Sequence, residues 1–225
     1  MIPASQISGL VLSGGYSSRM QAQAVQQPSG LSTTNEQPCD KGLLLLQGQP
    51  LVAHCCAQLT PWVQHMYISA NRYADAYAIY GMVVADDPLY GERQGALAGI
   101  ATVLARIHTP WLAVLPVDSP VVPRDMVPRL AAAVLQGNYD LAYVQTERTH
   151  PLCLLIHVSC LPALQSYLRA DGRRVLGWVQ SQHGVAVDFN AIDDKVWNVN
   201  TPAELEALRA YLEASGDDRS GQPER

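Results

Sequence analysis

The chain has 225 residues, 48% of them hydrophobic and 16% charged, with a formal net charge of −5. That length suits one large α/β domain, and the acidic balance argues against a dedicated nucleic-acid or anionic-membrane binder. No apolar run approaches the ~20 residues needed to span a bilayer, and Met1–Ser8 lacks a basic, apolar leader, so a cytoplasmic protein is expected.

In chain order, Ile7–Leu12 reads as a buried strand that stops at Ser13-Gly14-Gly15. Similar runs follow at Met66–Ser69, Met82–Ala85, Trp111–Leu115, Leu141–Val144 and Leu152–His157. Between them, helical patterns occupy Leu51–Gln58, Tyr73–Tyr80, Ala96–Arg106, Arg124–Leu135 and Cys160–Leu168. A last helix starts at Asn200-Thr201-Pro202-Ala203-Glu204, with Thr201 as N-cap, Pro202 at the first helical position and Glu204 reaching back. This alternation predicts a mainly parallel sheet with helices on both faces, in a single domain over residues 1–214. Two segments fall outside the pattern. Residues 21–38 are rich in Gln, Ser, Thr and Pro and are expected to form a mobile loop; residues 215–225 are expected to be a disordered tail.

The five cysteines, Cys39, Cys55, Cys56, Cys153 and Cys160, are odd in number and contain no C-x-x-C pair. A reducing compartment fits, with Cys153 and Cys160 as small core residues. The histidines do not cluster at metal-ligand spacing.

In a parallel sheet, ligands sit at the carboxyl ends of the strands. The first such end carries Gly14-Gly15, whose backbone N–H groups can approach an anion, and Arg19, a fork of donors suited to phosphate. The same glycines also suit a plain tight turn. Asp40-Lys41-Gly42 adds an ammonium for the same phosphates. Asp118, in Pro116-Val117-Asp118-Ser119-Pro120, follows another apolar strand and is placed either to bind Mg²⁺ or to cap the next turn. Asp86-Asp87-Pro88 ends a third strand, as a turn initiator or as an acceptor for a base edge or ribose.

Together these residues resemble the molybdenum cofactor guanylyltransferase family of nucleotidyltransferases. Leu12-Ser13-Gly14-Gly15 through Arg19-Met20 is similar to its opening L-A-G-G motif, and Asp40-Lys41-Gly42-Leu43 to its D-K-G-L. Ser69-Ala70-Asn71-Arg72 is similar to N-A-N-R, Asp87 with Gly95–Gly99 to D…G-P-L-A-G, and Pro116–Pro120 to P-C-D-x-P. His150-Pro151-Leu152, Arg173-Arg174-Val175 and Asn198-Val199-Asn200-Thr201-Pro202 complete an ordered match from about residue 7 to residue 212. There are two departures. Residues 21–38 interrupt the usual run between Met20 and the Asp-Lys pair, and Ser69 replaces an asparagine that contributes to nucleotide binding. Loop-closure entropy grows slowly with length, so Lys41 can still return to the first strand end.

The resemblance implies a Rossmann-like nucleotidyltransferase fold and transfer of GMP from GTP to the terminal phosphate of molybdopterin, with Mg²⁺ as cofactor. It implies that Leu12, Ser13, Gly14, Gly15 and Lys41 bind GTP, that Asp87 holds the guanosine part, and that Asp118 carries the metal. Arg19, Lys41 and Asp118 would be the catalytic groups. Asn198 and Asn200, with Gly95, would lie on the molybdopterin side or close the metal site, and Arg173-Arg174 would either clamp the pterin phosphate or form a solvated helix start. Partners beyond GTP and molybdopterin would be transient contacts with molybdopterin-supplying and client enzymes, with no nucleic acid and no membrane. Gly14 leans the base preference toward guanine. The alternatives are a cytidylyltransferase for the same cofactor, a sugar-phosphate or sugar-alcohol nucleotidyltransferase with the same opening loop, a silent homologue that binds and delivers the cofactor, and a Rossmann-like binding module without chemistry.

Overall fold

The computed structural model describes residues 1–13, 40–90, 95–191 and 195–217. The Gly14-Gly15 turn, Arg19 and the 21–38 insertion lie outside the described residues.

The elements in chain order are β1 (Ile7–Leu12), β2 (Leu45–Leu46), β3 (Gln49–Pro50), α1 (Leu51–Leu59), β4 (His65–Ser69), α2 (Ala74–Tyr77), β5 (Met82–Val84) and α3 (Ala96–Leu104). They continue with β6 (Trp111–Pro116), α4 (Met126–Gly137), β7 (Leu141–Gln145), β8 (Thr149–His157), α5 (Leu161–Arg169), α6 (Val175–Ser181), β9 (Gly184–Asp188) and α7 (Pro202–Asp217). Seven strands form one sheet in the order β5-β4-β1-β6-β8-β7-β9, and β2 and β3 form a small separate hairpin. Among the described residues of this sheet only β8 runs against its neighbours; the other pairs are parallel.

Period-two side-chain alternation divides the strands between two cores. Ile7 and Val11 of β1, with Ala113 and Leu115 of β6, face α1, α4 and α7. Leu10 and Leu12, with Leu112 and Val114, face α3, α5 and α6. Strands covered on both faces carry continuous apolar runs, which is why β1 and β6 stand out in the sequence.

The differences from the sequence reading have local causes. β8 begins at Thr149, three residues before the apolar run. The pairing jumps from Tyr143↔Leu154 to Val144↔His150, so Pro151 sits in an irregularity where its missing N–H breaks no ladder. The predicted helix at Tyr73–Tyr80 is only the single turn of α2: Tyr73 is left-handed at its start, with φ 54°, and beyond Tyr77 the chain passes into a turn closed by the Tyr80 N–H on the Tyr77 carbonyl. Two elements lacked a clear signal. The edge strand β9 is short and half-buried, and α6 contains Gly177 but is held by burial of Trp178 and Val179. At the C-terminus the capping box forms as read: Thr201 Oγ1 accepts from the Glu204 N–H at 3.2 Å, and Glu204 Oε2 accepts from the Thr201 N–H at 2.9 Å. The helix then runs through Asp217, into the segment expected to be a tail.

Among the described residues no helix is long and apolar enough to cross a membrane. The four described cysteines are free and buried.

Candidate active site at the carboxyl ends of the sheet

Sheet register sets the site. Leu12 pairs with both Ser69 and Pro116, and Ser69 pairs with Val84, so the last residues of β1, β4, β6 and β5 lie in one row. The backbone continues that row outward: Ser13 N–H donates to Ser69 O at 2.9 Å, Val117 N–H to Leu12 O at 3.0 Å, and Ala70 N–H to Val84 O at 3.1 Å. Two residues past the ends of β4, β5 and β6 come Asn71, Asp86 and Asp118. Polar side chains therefore collect along this edge of the sheet.

The segment before α7 is laid against the end of β6. Val199 N–H donates to the Asp118 carbonyl at 2.7 Å, and Val121 and Trp197 form an isolated bridge. This brings both asparagines to the aspartate. Ser119 Oγ donates to Asn198 Oδ1 at 2.9 Å and lies 3.4 Å from Asp118 Oδ1. Lys41 Nζ donates to Asn200 Oδ1 at 2.9 Å and reaches Asp118 Oδ2 at 3.5 Å. Asn200 is fixed in turn, because its own N–H donates to the Glu204 carboxylate at 2.6 Å. Lys41, Asp118, Asn198 and Asn200 thus form one cluster although up to 159 positions separate them. Lys41 is largely buried, at 13% exposure, whereas Asp118 is open at 31%. The ammonium is held in place and the carboxylate can still meet a ligand.

The two aspartates that follow β5 have different partners. The Asp87 carboxylate accepts from the Leu89 N–H at 2.9 Å, capping the turn at Pro88–Tyr90, and the Asp87 N–H donates to Thr102 Oγ1. Asp86 is the carboxylate that joins the neighbouring strand end. Asn71 Nδ2 donates to Asp86 Oδ2 at 2.8 Å, the Asp86 N–H donates back to Asn71 Oδ1 at 2.9 Å, and Ser69 Oγ approaches Asp86 Oδ1 at 3.4 Å. Asp86 stands two residues past Val84, as Asp118 stands two past Pro116, and Asp87 stands one residue further out. Ser69 is closely covered by α3, since a Cβ on Gly99 would lie 2.5 Å from Ser69 Oγ.

Arg173 forms an ion pair with Asp171. Arg174 precedes α6, and its carbonyl accepts from the Trp178 N–H and the Tyr167 hydroxyl. Gly95 stands at the start of α3.

The thiols of the described residues are buried and poor nucleophiles. Burial pushes Cys153 up to about 12, and burial likewise raises Cys56 to about 11. His150 shares a hydrogen bond with Thr146 Oγ1 at 2.9 Å. Its pKa is lowered, first by burial and then by Arg148, against an upward pull from Asp118. The unfolded chain therefore takes up this proton first as the pH falls through about 6.5, and folded stability drops until the lower folded pKa is passed. The slope of Tm against pH in that window is expected to be shallower in His150→Gln; an unchanged slope would remove this contribution.

Comparison with known proteins identifies the family. The family model described as a MobA-like NTP transferase domain matches residues 9–185. A molybdenum cofactor guanylyltransferase from Pasteurella multocida is 37% identical over 200 residues, covering 88% of this chain and 97% of the relative. Another, from Cupriavidus necator, is 36% identical and covers 91% of this chain and 97% of the relative. Among solved structures, molybdopterin-guanine dinucleotide biosynthesis protein A from Archaeoglobus fulgidus superposes with a TM-score of 0.69 at 17% identity, covering 92% of this chain and 99% of that one. A nucleotidyl transferase from Methanothermobacter superposes with a TM-score of 0.68 at 17% identity, covering 93% and 99%. The fold is the Rossmann-like nucleotidyltransferase fold, and the chain belongs to the molybdenum cofactor guanylyltransferase family.

Proposed function

We propose that the chain transfers GMP from GTP to the terminal phosphate of molybdopterin and releases pyrophosphate. The observation that carries this reading is the cluster of Lys41, Asp118, Asn198 and Asn200 at the carboxyl end of β6, in a chain whose relatives at 37% and 36% identity bear the guanylyltransferase name.

An oxygen of the molybdopterin phosphate attacks the α-phosphorus of GTP. The bond from that phosphorus to the oxygen bridging it to the β-phosphate breaks, a new phosphoanhydride forms, and pyrophosphate leaves with the electron pair. The protein needs no nucleophile of its own, so positioning and charge neutralisation carry the catalysis. Lys41 offsets triphosphate charge from a fixed point, because Asn200 and Asp118 hold its ammonium. Arg19 adds a second cation, and Leu12 and Ser13 with Gly14 and Gly15 present the first strand end to the nucleotide. Asp86, in preference to Asp87, accepts from the guanosine part.

The donor set around Asp118 suits a hard cation. One half-buried carboxylate is linked through Ser119 and Lys41 to the amide oxygens of Asn198 and Asn200, and Mg²⁺ takes one or two carboxylates together with substrate oxygens and water. Asp118 would hold the ion, which supplies positive charge against the phosphates when bound. The side chains of Asn198 and Asn200 border that position from the molybdopterin side.

Pyrophosphate release with Mg²⁺ and molybdopterin, compared among GTP, CTP and ATP, tests the reading. Release with GTP alone is expected. Release mainly with CTP would keep the chemistry and overturn the base assignment. Nucleotide binding without release would favour a protein that only binds and delivers the cofactor.

A further inference from the structure

Asp40 is a carboxylate with only 5% of its surface exposed, one residue before the lysine on which the charge neutralisation rests. The Tyr77 phenol, fully buried on α2, donates to Asp40 Oδ1 at 2.7 Å. The phenol oxygen accepts in turn from Ser13 Oγ at 2.6 Å, and Ser13 is the residue that follows β1. A directional chain of hydrogen bonds therefore runs from the end of β1, through a side chain of α2, to the segment carrying Lys41. The Gly42 N–H also donates to Asp40 Oδ1 at 3.3 Å, and Arg72 lies 3.6 Å from Asp40 Oδ2. Packing follows the same line. A Cβ at Gly42 would fall 2.4 Å from Ser13 Oγ and 2.5 Å from the Tyr77 hydroxyl, so the backbone beside Lys41 lies directly on this pair of hydroxyls.

A buried carboxylate is costly unless charge-assisted hydrogen bonds hold it, and those bonds fix the backbone that bears it. Lys41 is the next residue, and its ammonium spans from this anchored backbone to Asn200 and Asp118. We propose that Tyr77 and Asp40 are positioning residues that set the Lys41 ammonium relative to the first strand end, and so tune the site for the triphosphate rather than for the nucleoside. This rests on the functional reading above, in which Lys41 meets the phosphates. Neither residue touches the substrate. They act through the lysine.

A double-mutant cycle with a ligand lacking phosphates separates this from a purely structural role. Binding of GTP and of guanosine would be measured by calorimetry for the wild type, Tyr77→Phe, Lys41→Ala and the double variant. Removing the phenol hydroxyl is expected to weaken GTP binding about tenfold while leaving guanosine unchanged, the scale of one lost hydrogen bond to a charged group. In the Lys41→Ala background, Tyr77→Phe is expected to add less than about twofold, because the group it positions is gone. An equal loss for guanosine and GTP, or a full tenfold loss in the absence of Lys41, would overturn the proposal. Should Tyr77→Phe not fold, Asp40→Asn is read in the same cycle with the same two criteria. Absence of GTP binding by the wild type would instead sink the functional reading, and this inference with it.

Discussion

Asp118→Asn is expected to lower turnover by about 10²- to 10³-fold at saturating GTP, the scale seen when one preorganised electrostatic group is removed from a charge-stabilising site. The substitution is nearly isosteric, and the fold around it does not depend on the carboxylate. The contact that holds the 197–200 segment runs from the Val199 N–H to the Asp118 backbone carbonyl, which the asparagine keeps. Ser119 retains Asn198 as its closer acceptor, at 2.9 Å against 3.4 Å to Asp118. The change is therefore confined to one negative charge. That charge has two duties: to hold a cation against the phosphates and to steady Lys41 from 3.5 Å. The loss should fall on turnover more than on guanosine binding, and excess Mg²⁺ should restore only a small part of it. A variant with near-wild-type turnover across a Mg²⁺ titration would remove Asp118 from the metal and catalytic assignment together.

Lys41→Ala is expected to reduce kcat/KM for GTP by about 100-fold, with both a higher KM and a lower kcat. Two multiply charged anions must meet in this reaction, and among the described residues Lys41 is the cation seated beside Asp118. Its removal also leaves Asn200 Oδ1 and Asp118 Oδ2 without the ammonium that joins them, so the molybdopterin side should loosen as well. Arginine is not an equivalent replacement. Its planar fork cannot occupy the 13%-exposed position of a point charge held between an amide and a carboxylate. Steady-state kinetics of Lys41→Ala and Lys41→Arg test this: recovery to within a few-fold of wild type in the arginine variant would show that charge alone, without placement, is what the site requires.

Much of the architecture was legible because the sheet is covered on both faces. Continuous apolar runs in β1 and β6, each stopping at a polar turn, located the strand ends, and those ends located Ser13 and Asp118. The capping box at Thr201 and Glu204 was equally plain, since both partners lie within one helical turn. Asn198 and Asn200 were legible only through the resemblance. Nothing in their local sequence says that the segment folds back across the end of β6. What stayed hidden was long-range or locally ambiguous. The chain from Ser13 through Tyr77 to Asp40 joins residues 64 and 37 positions apart, and a tyrosine in a short helical pattern carries no mark of a buried polar role. Asp86 and Asp87 are neighbours of identical chemistry, so composition favours neither. The register of β5 against β4 decides which carboxylate reaches Asn71. β9 and α6 lacked a signal for the opposite reason, because each is short and gains its conformation from the sheet it packs on.

The most direct test of the central claim is to follow the label from GTP carrying ³²P at the α- or the γ-phosphorus, incubated with the protein, Mg²⁺ and molybdopterin. Nucleotidyl transfer predicts that the α-label moves to the pterin product while the γ-label appears only in pyrophosphate. A γ-label on the pterin, or an α-label that remains entirely in free nucleotide, would contradict the account.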